Sequence, residues 1–272
     1  MQFETNSDGG WVVPANTAIP DGTEIPAWSD LGESCELGAD CKIGDGCELG
    51  NYCRLGADCK FGAYCKFDYD CKFGAYCKFG AYCKLGDGCK FGDGCKFGAY
   101  CKFGADCVLG AYCKLGAYCT LGAGCRLGAY CKFDYDCKLG NDCTLGNDCR
   151  LGDGCKFGAD CTLGNYCWLG AGCELGAGCK FGAGCELGAY CTLGHGCDLG
   201  ANTQWLGVIV ESWLTLANVD GSGRQIKVVK HAEGVRVEAG CFRGTLEDFC
   251  TQAASEGKDR YVRVISAVAA AM

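Results

Sequence analysis

The sequence predicts an all-β solenoid, a parallel β-helix closed by a small C-terminal α+β cap. Three observations predict it. A cysteine falls at every sixth position from Cys35 to Cys197 without a slip, giving 28 in register. Each unit reads Cys-x-(Leu/Phe/Ile)-Gly-x-x, so a charged or polar residue separates two apolar ones, the in-out-in alternation of a short strand. A three-residue strand cannot stand alone, so the units must stack. After residue 202 the pattern changes, as a structure that has to end would require.

In chain order, residues 1–16 form a lead-in, 17–202 the repeat array and 203–272 the cap. Thr17, Thr23 and Ser29 hold the cysteine beat before Cys35, with Ile19, Ile25 and Leu31 on the Leu/Phe beat. The array therefore contains about 31 hexads. Gly-x-x is expected to make each bend because glycine adopts backbone angles that other residues avoid. Two "FDYD" variants, at 67–70 and 133–136, replace the turn glycine but keep the length.

The stretch "LGADCKIGDGCELGNYC" (37–53) closely resembles the hexapeptide repeat of left-handed parallel β-helices, and the likeness covers 17–202. The resemblance implies three hexads per triangular coil and about ten coils, a prism roughly 50 Å long at ~4.8 Å per strand. It also implies the left hand, against the general preference for right-handed crossovers. With cysteine at nearly every small-residue position, the chain is most similar in character to uncharacterised hexapeptide proteins of bacteriophages and prophages.

In such coils the cysteines would form three inward columns of ten, nine and nine. Stacked Cβ atoms ~4.8 Å apart exceed the ~3.5–4.5 Å a disulfide needs. Parallel columns do not converge on a metal, and buried thiols are poor nucleophiles. Packing remains, with Cys35, Cys101 and Cys197 in the core beside Phe97 and Phe103. No cofactor is expected. The N-terminal "MQFETNSDGGWVV" lacks the basic and apolar regions of a signal peptide, so a cytoplasmic protein with reduced thiols is expected, in the host cytosol if phage-encoded.

The formal net charge of −8 divides unevenly. Residues 1–34 carry six acids and no base, 35–202 carry 19 acids and 17 bases, and the remainder carries eight of each. A nearly balanced array points to no nucleic-acid or membrane partner. Its outward columns are less even. One runs Lys42, Lys60, Lys78, Lys96, Lys114, Lys132 and Arg150, then Trp168 and Glu186. It is either a solvated face that resists sticking or a track for an anionic ligand. Corner acids such as Asp40, Asp58, Asp106, Asp142 and Asp160 are expected to offset it. Another column stacks Tyr64, Tyr82, Tyr100 and Tyr118, either covering a corner or meeting a second copy.

Many proteins that share the resemblance are trimeric acyltransferases with a catalytic histidine and a coil-interrupting loop. Here His195 replaces a corner residue, His231 lies outside the array, and no loop interrupts 35–202. Beyond 202, "WLGVIVESWLTLANV" reads as strands and "DGSG" (220–223) as a turn. A six-residue beat at Val229, Val235 and Cys241 suggests one last coil. Thr245 to Asp248 is a helix-start signature, followed by Leu246, Phe249, Cys250, Ala253 and Ala254 at helical spacing. "DRYVRVISAVAAAM" is expected to form a second helix. The function expected is a non-enzymatic, self-associating scaffold, as trimers or end to end, with anion sequestration and acyl transfer as alternatives.

Overall fold

The structure, a computed structural model, describes residues 3–217, 219, 225–240 and 242–272. Each hexad supplies a two-residue strand, such as Lys96–Phe97 or Lys102–Phe103, and then a turn. Every strand pairs in parallel with the one 18 residues on, Lys96 with Lys114 and Phe97 with Leu115. Three hexads therefore complete a coil. The strands form three sheets of 12, 12 and 10, each larger one ending in a single antiparallel strand.

Removing that strand from 12 leaves 11 parallel strands, so there are about eleven coils rather than ten. The coils run past both expected boundaries. Trp11–Val13 pairs in parallel with Asp30–Leu31, and Gln204–Trp205 with Glu186–Leu187. Trp11 stands on the cysteine beat and Trp205 on the Leu/Phe beat, and both substitutions hide the hexad from a search for its usual residues.

The core is as the alternation requires. Cys35 and Cys101 are fully buried, and Phe97 and Phe103 nearly so. Phe79 and Phe97 stack at 4.7 Å along one column, while Phe97 meets Phe103 of the next face edge-on at 4.8 Å. Cys197 is only half-buried, because the chain leaves the prism before a further coil can cover it.

Backbone bonds between coils use the carbonyls of the first, third and fifth residues of a hexad: Lys96 N–H donates to Cys77, Gly98 to Phe79 and Tyr100 to Ala117. The fourth carbonyl is left over. It accepts from the cysteine 21 residues later in all 28 cases, as Cys101 Sγ to Gly80 O at 3.3 Å. Across the array these contacts span 3.1 Å, at Cys47 to Pro26, to 3.6 Å, at Cys113 to Gly92. A buried carbonyl needs a donor, and a thiol is a small, weak one. Burial pushes the Cys41 thiol above its ordinary pKa, which keeps the proton in place. Where a hydroxyl holds the cysteine beat it donates to the carbonyl three residues earlier, Thr17 to Pro14 O at 2.6 Å, Ser29 to Pro26 O at 2.8 Å and Thr203 to Gly200 O at 2.6 Å, and Pro14 O and Pro26 O also accept from Cys35 and Cys47.

The glycine expectation needs correcting. Hexad-position-four glycines have no positive φ; a Cβ there would strike the coil below, as at Gly98, 2.7 Å from Ala81 N. Positive φ falls two residues later, on Tyr100 (62°) or Asp106 (56°). At 68 and 134 an aspartate takes the glycine's place, and the corner bonds to Tyr69 and Tyr135 lengthen to 3.1 Å.

No last coil returns at Val229 and Val235. Ser212–Ala217, Gln225–His231, Gly234–Ala239 and Phe242–Thr245 form a four-stranded antiparallel sheet. Val229 pairs with Arg236 across a hairpin, so the apparent beat arises from two β-branched strands rather than from the hexad. Cys241 and the turn at 220–223 lie outside the described residues. The helices form as expected. Thr245 and Asp248 close a capping box on α1 (Leu246–Ser255), and α2 spans Asp259–Ala271. Phe249 and Ala253 are buried, Leu246 and Cys250 half-buried, and Ala254 exposed.

Both prism ends are covered. Glu4–Thr5 pairs with Trp11–Val13, and Phe3 lies 5.3 Å from Trp11. At the other end Trp205 is fully buried with Trp213 edge-on at 5.5 Å. Lys227 Nζ sits 5.6 Å from the Trp205 ring and pairs with Glu238 at 2.6 Å, both side chains almost fully buried. Arg243 completes the carboxylate at 3.0 Å and lies over the Tyr190 ring at 4.2 Å. A buried carboxylate with two cationic partners has the pairing that burial demands.

Gly98→Ala should destabilise the protein by about 1–3 kcal/mol, because the added methyl must displace backbone. Gly172→Asn, at a φ of +67° with open space around it, should cost under about 1 kcal/mol. Paired denaturant melts check this; equal costs would show that contact with the coil below does not select glycine at position four.

Candidate functional site

The 18-residue register stacks Lys42, Lys60, Lys78, Lys96, Lys114, Lys132 and Arg150 on one face, every side chain exposed. Trp168 and Glu186 continue the line. Acids sit at the ends of the cationic columns. Glu24 meets Lys42 at 2.6 Å, Glu36 meets Arg54 at 3.3 Å and Glu174 meets Lys156 at 2.8 Å; Glu48 pairs with Lys66. The hydrogen bond and charge of Lys42 hold the Glu24 carboxyl below its usual range. Among the described residues, Lys60, Lys78, Lys96, Lys114 and Lys132 make no ion pair.

Nor do the corner acids offset them: Asp40, Asp58, Asp106, Asp142 and Asp160 enter no ion pair among the described residues. They occupy the positive-φ position, at 56–59°, which aspartate tolerates better than most residues. A different set, at the preceding position, ties coils together. Asp93 Oδ1 accepts from Ala111 N at 2.7 Å and Asn147 Oδ1 from Asn165 N at 2.9 Å.

The tyrosine column forms as a ladder. Tyr64, Tyr82, Tyr100 and Tyr118 stack with centroids 5.1, 4.9 and 4.8 Å apart and planes within 9°. Tyr135, from the second "FDYD", ends it edge-on at 5.3 Å.

A second aromatic corner went unread in the sequence. Tyr112 and Tyr130 stack at 5.0 Å, and the Tyr166 ring lies over Gly184, where a Cβ would be 2.6 Å from it. With Asp148 between them, these tyrosines wall a groove of about 810 Å³. Lys114, Lys132, Arg150 and Trp168 form its floor, and Glu186 closes one end. Following this corner at 18-residue steps would have revealed it. A smaller groove of about 330 Å³, lined by Tyr52, Arg54, Asp70, Lys72 and Lys90, repeats the arrangement on another face.

His195 is an exposed corner residue whose carbonyl accepts from Gly178 N, and half-buried His231 accepts from Glu233 N at 3.3 Å. Neither lines these grooves. Among the described residues no group of His, Cys, Asp and Glu is arranged to hold a metal ion, and no helix is long and apolar enough to cross a membrane.

A family model for the bacterial transferase hexapeptide (six repeats) matches residues 88–123 and 142–177. With the three parallel sheets and their constant register, these repeats support the hexapeptide-repeat β-helix superfamily for this chain. A second model, the RNA-binding Nab2-type zinc finger, matches 53–68, 58–74 and 77–92. That match follows cysteine spacing alone. The interval 53–92 contains no histidine, and its thiols donate to carbonyls of the preceding coil. Comparison with curated proteins and with solved structures finds no match.

Replacing Lys60, Lys78, Lys96 and Lys114 together by Gln should raise the melting temperature at low salt, because stacked like charges repel. The gain should shrink at about 1 M salt, where the Debye length falls to about 3 Å. Melting curves at both ionic strengths check this; a loss of stability at low salt would mean that the lysines have stabilising partners.

Proposed function

We propose that the protein is a non-enzymatic β-helical scaffold, of the kind encoded by phages and prophages, that self-associates through its tyrosine ladder. The observation that carries this is the ridge of Tyr64, Tyr82, Tyr100 and Tyr118, each 39–55% exposed and stacked over four successive coils beside the lysine face. Four rings held flush by stacking are already ordered, so docking a second copy costs little side-chain entropy, and tyrosine is enriched at such interfaces. Lysines along the flanking faces keep the remaining sheet surface from adhering at random.

The absence of a catalytic role is supported by the uninterrupted array, which has no loop to shape a pocket between 35 and 202, and by the isolation of His195 and His231. The cysteine at nearly every small-residue position supports the likeness to phage and prophage proteins. The thiol-to-carbonyl bonds favour a reduced state, and with it a cytoplasmic setting.

Sedimentation equilibrium tests the proposal. The wild type should be oligomeric at micromolar concentration. Replacing the four tyrosines by Ser should give a monomer with an unchanged circular-dichroism spectrum. A wild-type monomer, or an oligomer that survives the four substitutions, would contradict self-association through the ladder.

A further inference from the structure

The larger groove has a composition that neither a solvated sheet face nor a self-association ridge requires. Lys114, Lys132 and Arg150 stand one per coil along the floor, with Trp168 next in line. Tyrosine faces make the wall, and two carboxylates, Asp148 and Glu186, also line the space. None of these five charged groups is ion-paired among the described residues.

We propose that this groove binds an acidic polysaccharide, a chain of uronic-acid sugars laid along the solenoid axis. The repeat distance is the first argument. Floor positions recur at ~4.8 Å, and a pyranose ring in an extended chain takes up about one such step, so each sugar carboxylate turned toward the floor finds a cation at its own coil. Phosphates of a B-form strand recur at about 3.4 Å along the axis and fall out of register within a few coils.

The aromatic surfaces are the second argument. A pyranose presents a face of C–H groups that packs on a ring, while its hydroxyls stay at the wet edge, which suits the half-exposed Tyr130 and Trp168. The carboxylates are the third. Asp148 and Glu186 can accept hydrogen bonds from sugar hydroxyls, donors that a deoxyribose-phosphate backbone does not carry. Cations for the acid groups, carboxylates for the hydroxyls and rings for the C–H faces together match a charged sugar polymer. A polynucleotide would use only the first and last of these.

Isothermal titration calorimetry with a mannuronic-acid hexamer tests the proposal, with a neutral mannose hexamer and a thymidine dodecanucleotide alongside. The uronate hexamer should bind, more weakly as salt rises, and the neutral hexamer at least about tenfold more weakly. Trp168→Ala and Tyr130→Ser should each lose about tenfold or more, as removal of an aromatic anchor does, with Lys132→Gln as a second line of test. All three side chains are exposed, and unchanged melting curves would confirm that the coils are intact. Failure of the uronate to bind at millimolar concentration, equal binding by both aromatic variants, or tighter binding of the oligonucleotide would each overturn the proposal. Because the Tyr64 ladder lies on another corner, loss of oligomers there leaves this result unaffected, and the two proposals fail independently.

Discussion

Each coil is joined to the one before it by a thiol that reaches 21 residues back to a carbonyl turned into the core. The fourth residue of the hexad is glycine at most positions, since a Cβ there would meet the coil below, and Asp68 and Asp134 take its place only with longer corner bonds; its carbonyl escapes the backbone ladder. Whatever stands on the next inward position has to be small enough to fit beside Leu or Phe and able to donate. Ser29 and Thr203 meet both conditions but turn back to the carbonyl three residues earlier. The longer reach of sulfur lets Cys101 bond to the coil beneath it. A neutral hydrogen bond contributes roughly 0.5–1.5 kcal/mol net, and a thiol stands at the weak end. Its effect lies in repetition, because the bond holds the register in which every other ladder forms.

That register has consequences outside. Identical positions lie over one another at one strand spacing, so a lysine repeated at 18 residues becomes a line of charge and a tyrosine becomes a stack of rings. The acids at the column ends and the edge-on Tyr135 mark where those lines stop. Lysine faces and tyrosine corners are thus two products of one constraint, and the scaffold reading uses them in opposite ways. Rings offer a place to join; charge discourages joining elsewhere. The larger groove arises where a ring-bearing corner runs beside a cationic column.

Much of this was legible because a six-residue period leaves little choice. Cys101 inward, Lys102 outward and Phe103 inward follow from alternation, and the Tyr64 ladder follows from stepping by 18. The misreadings have physical causes. Trp11 and Trp205 sit on the beat with the wrong chemistry, so the outermost coils were invisible. Val229 and Val235 keep the beat by coincidence, since β-branched residues serve an antiparallel hairpin equally well. Glycine was credited with an unusual backbone angle when its service is to have no Cβ, a contact that sequence cannot express. Corner aspartates looked like counter-charges, yet their positive φ accounts for them. The larger groove was missed because Asp148 breaks its tyrosine column, and a broken column does not announce itself.

The account turns on protonated thiols bonded to carbonyls in a closed core. Raman spectroscopy of the S–H stretch observes that bond directly. The native protein should show a strong band shifted to lower frequency than in the denatured state, exchanging slowly in D2O because the thiols are sealed from solvent. A native spectrum with an S–S band in place of the S–H band, or an unshifted S–H band that exchanges within the mixing time, would contradict it.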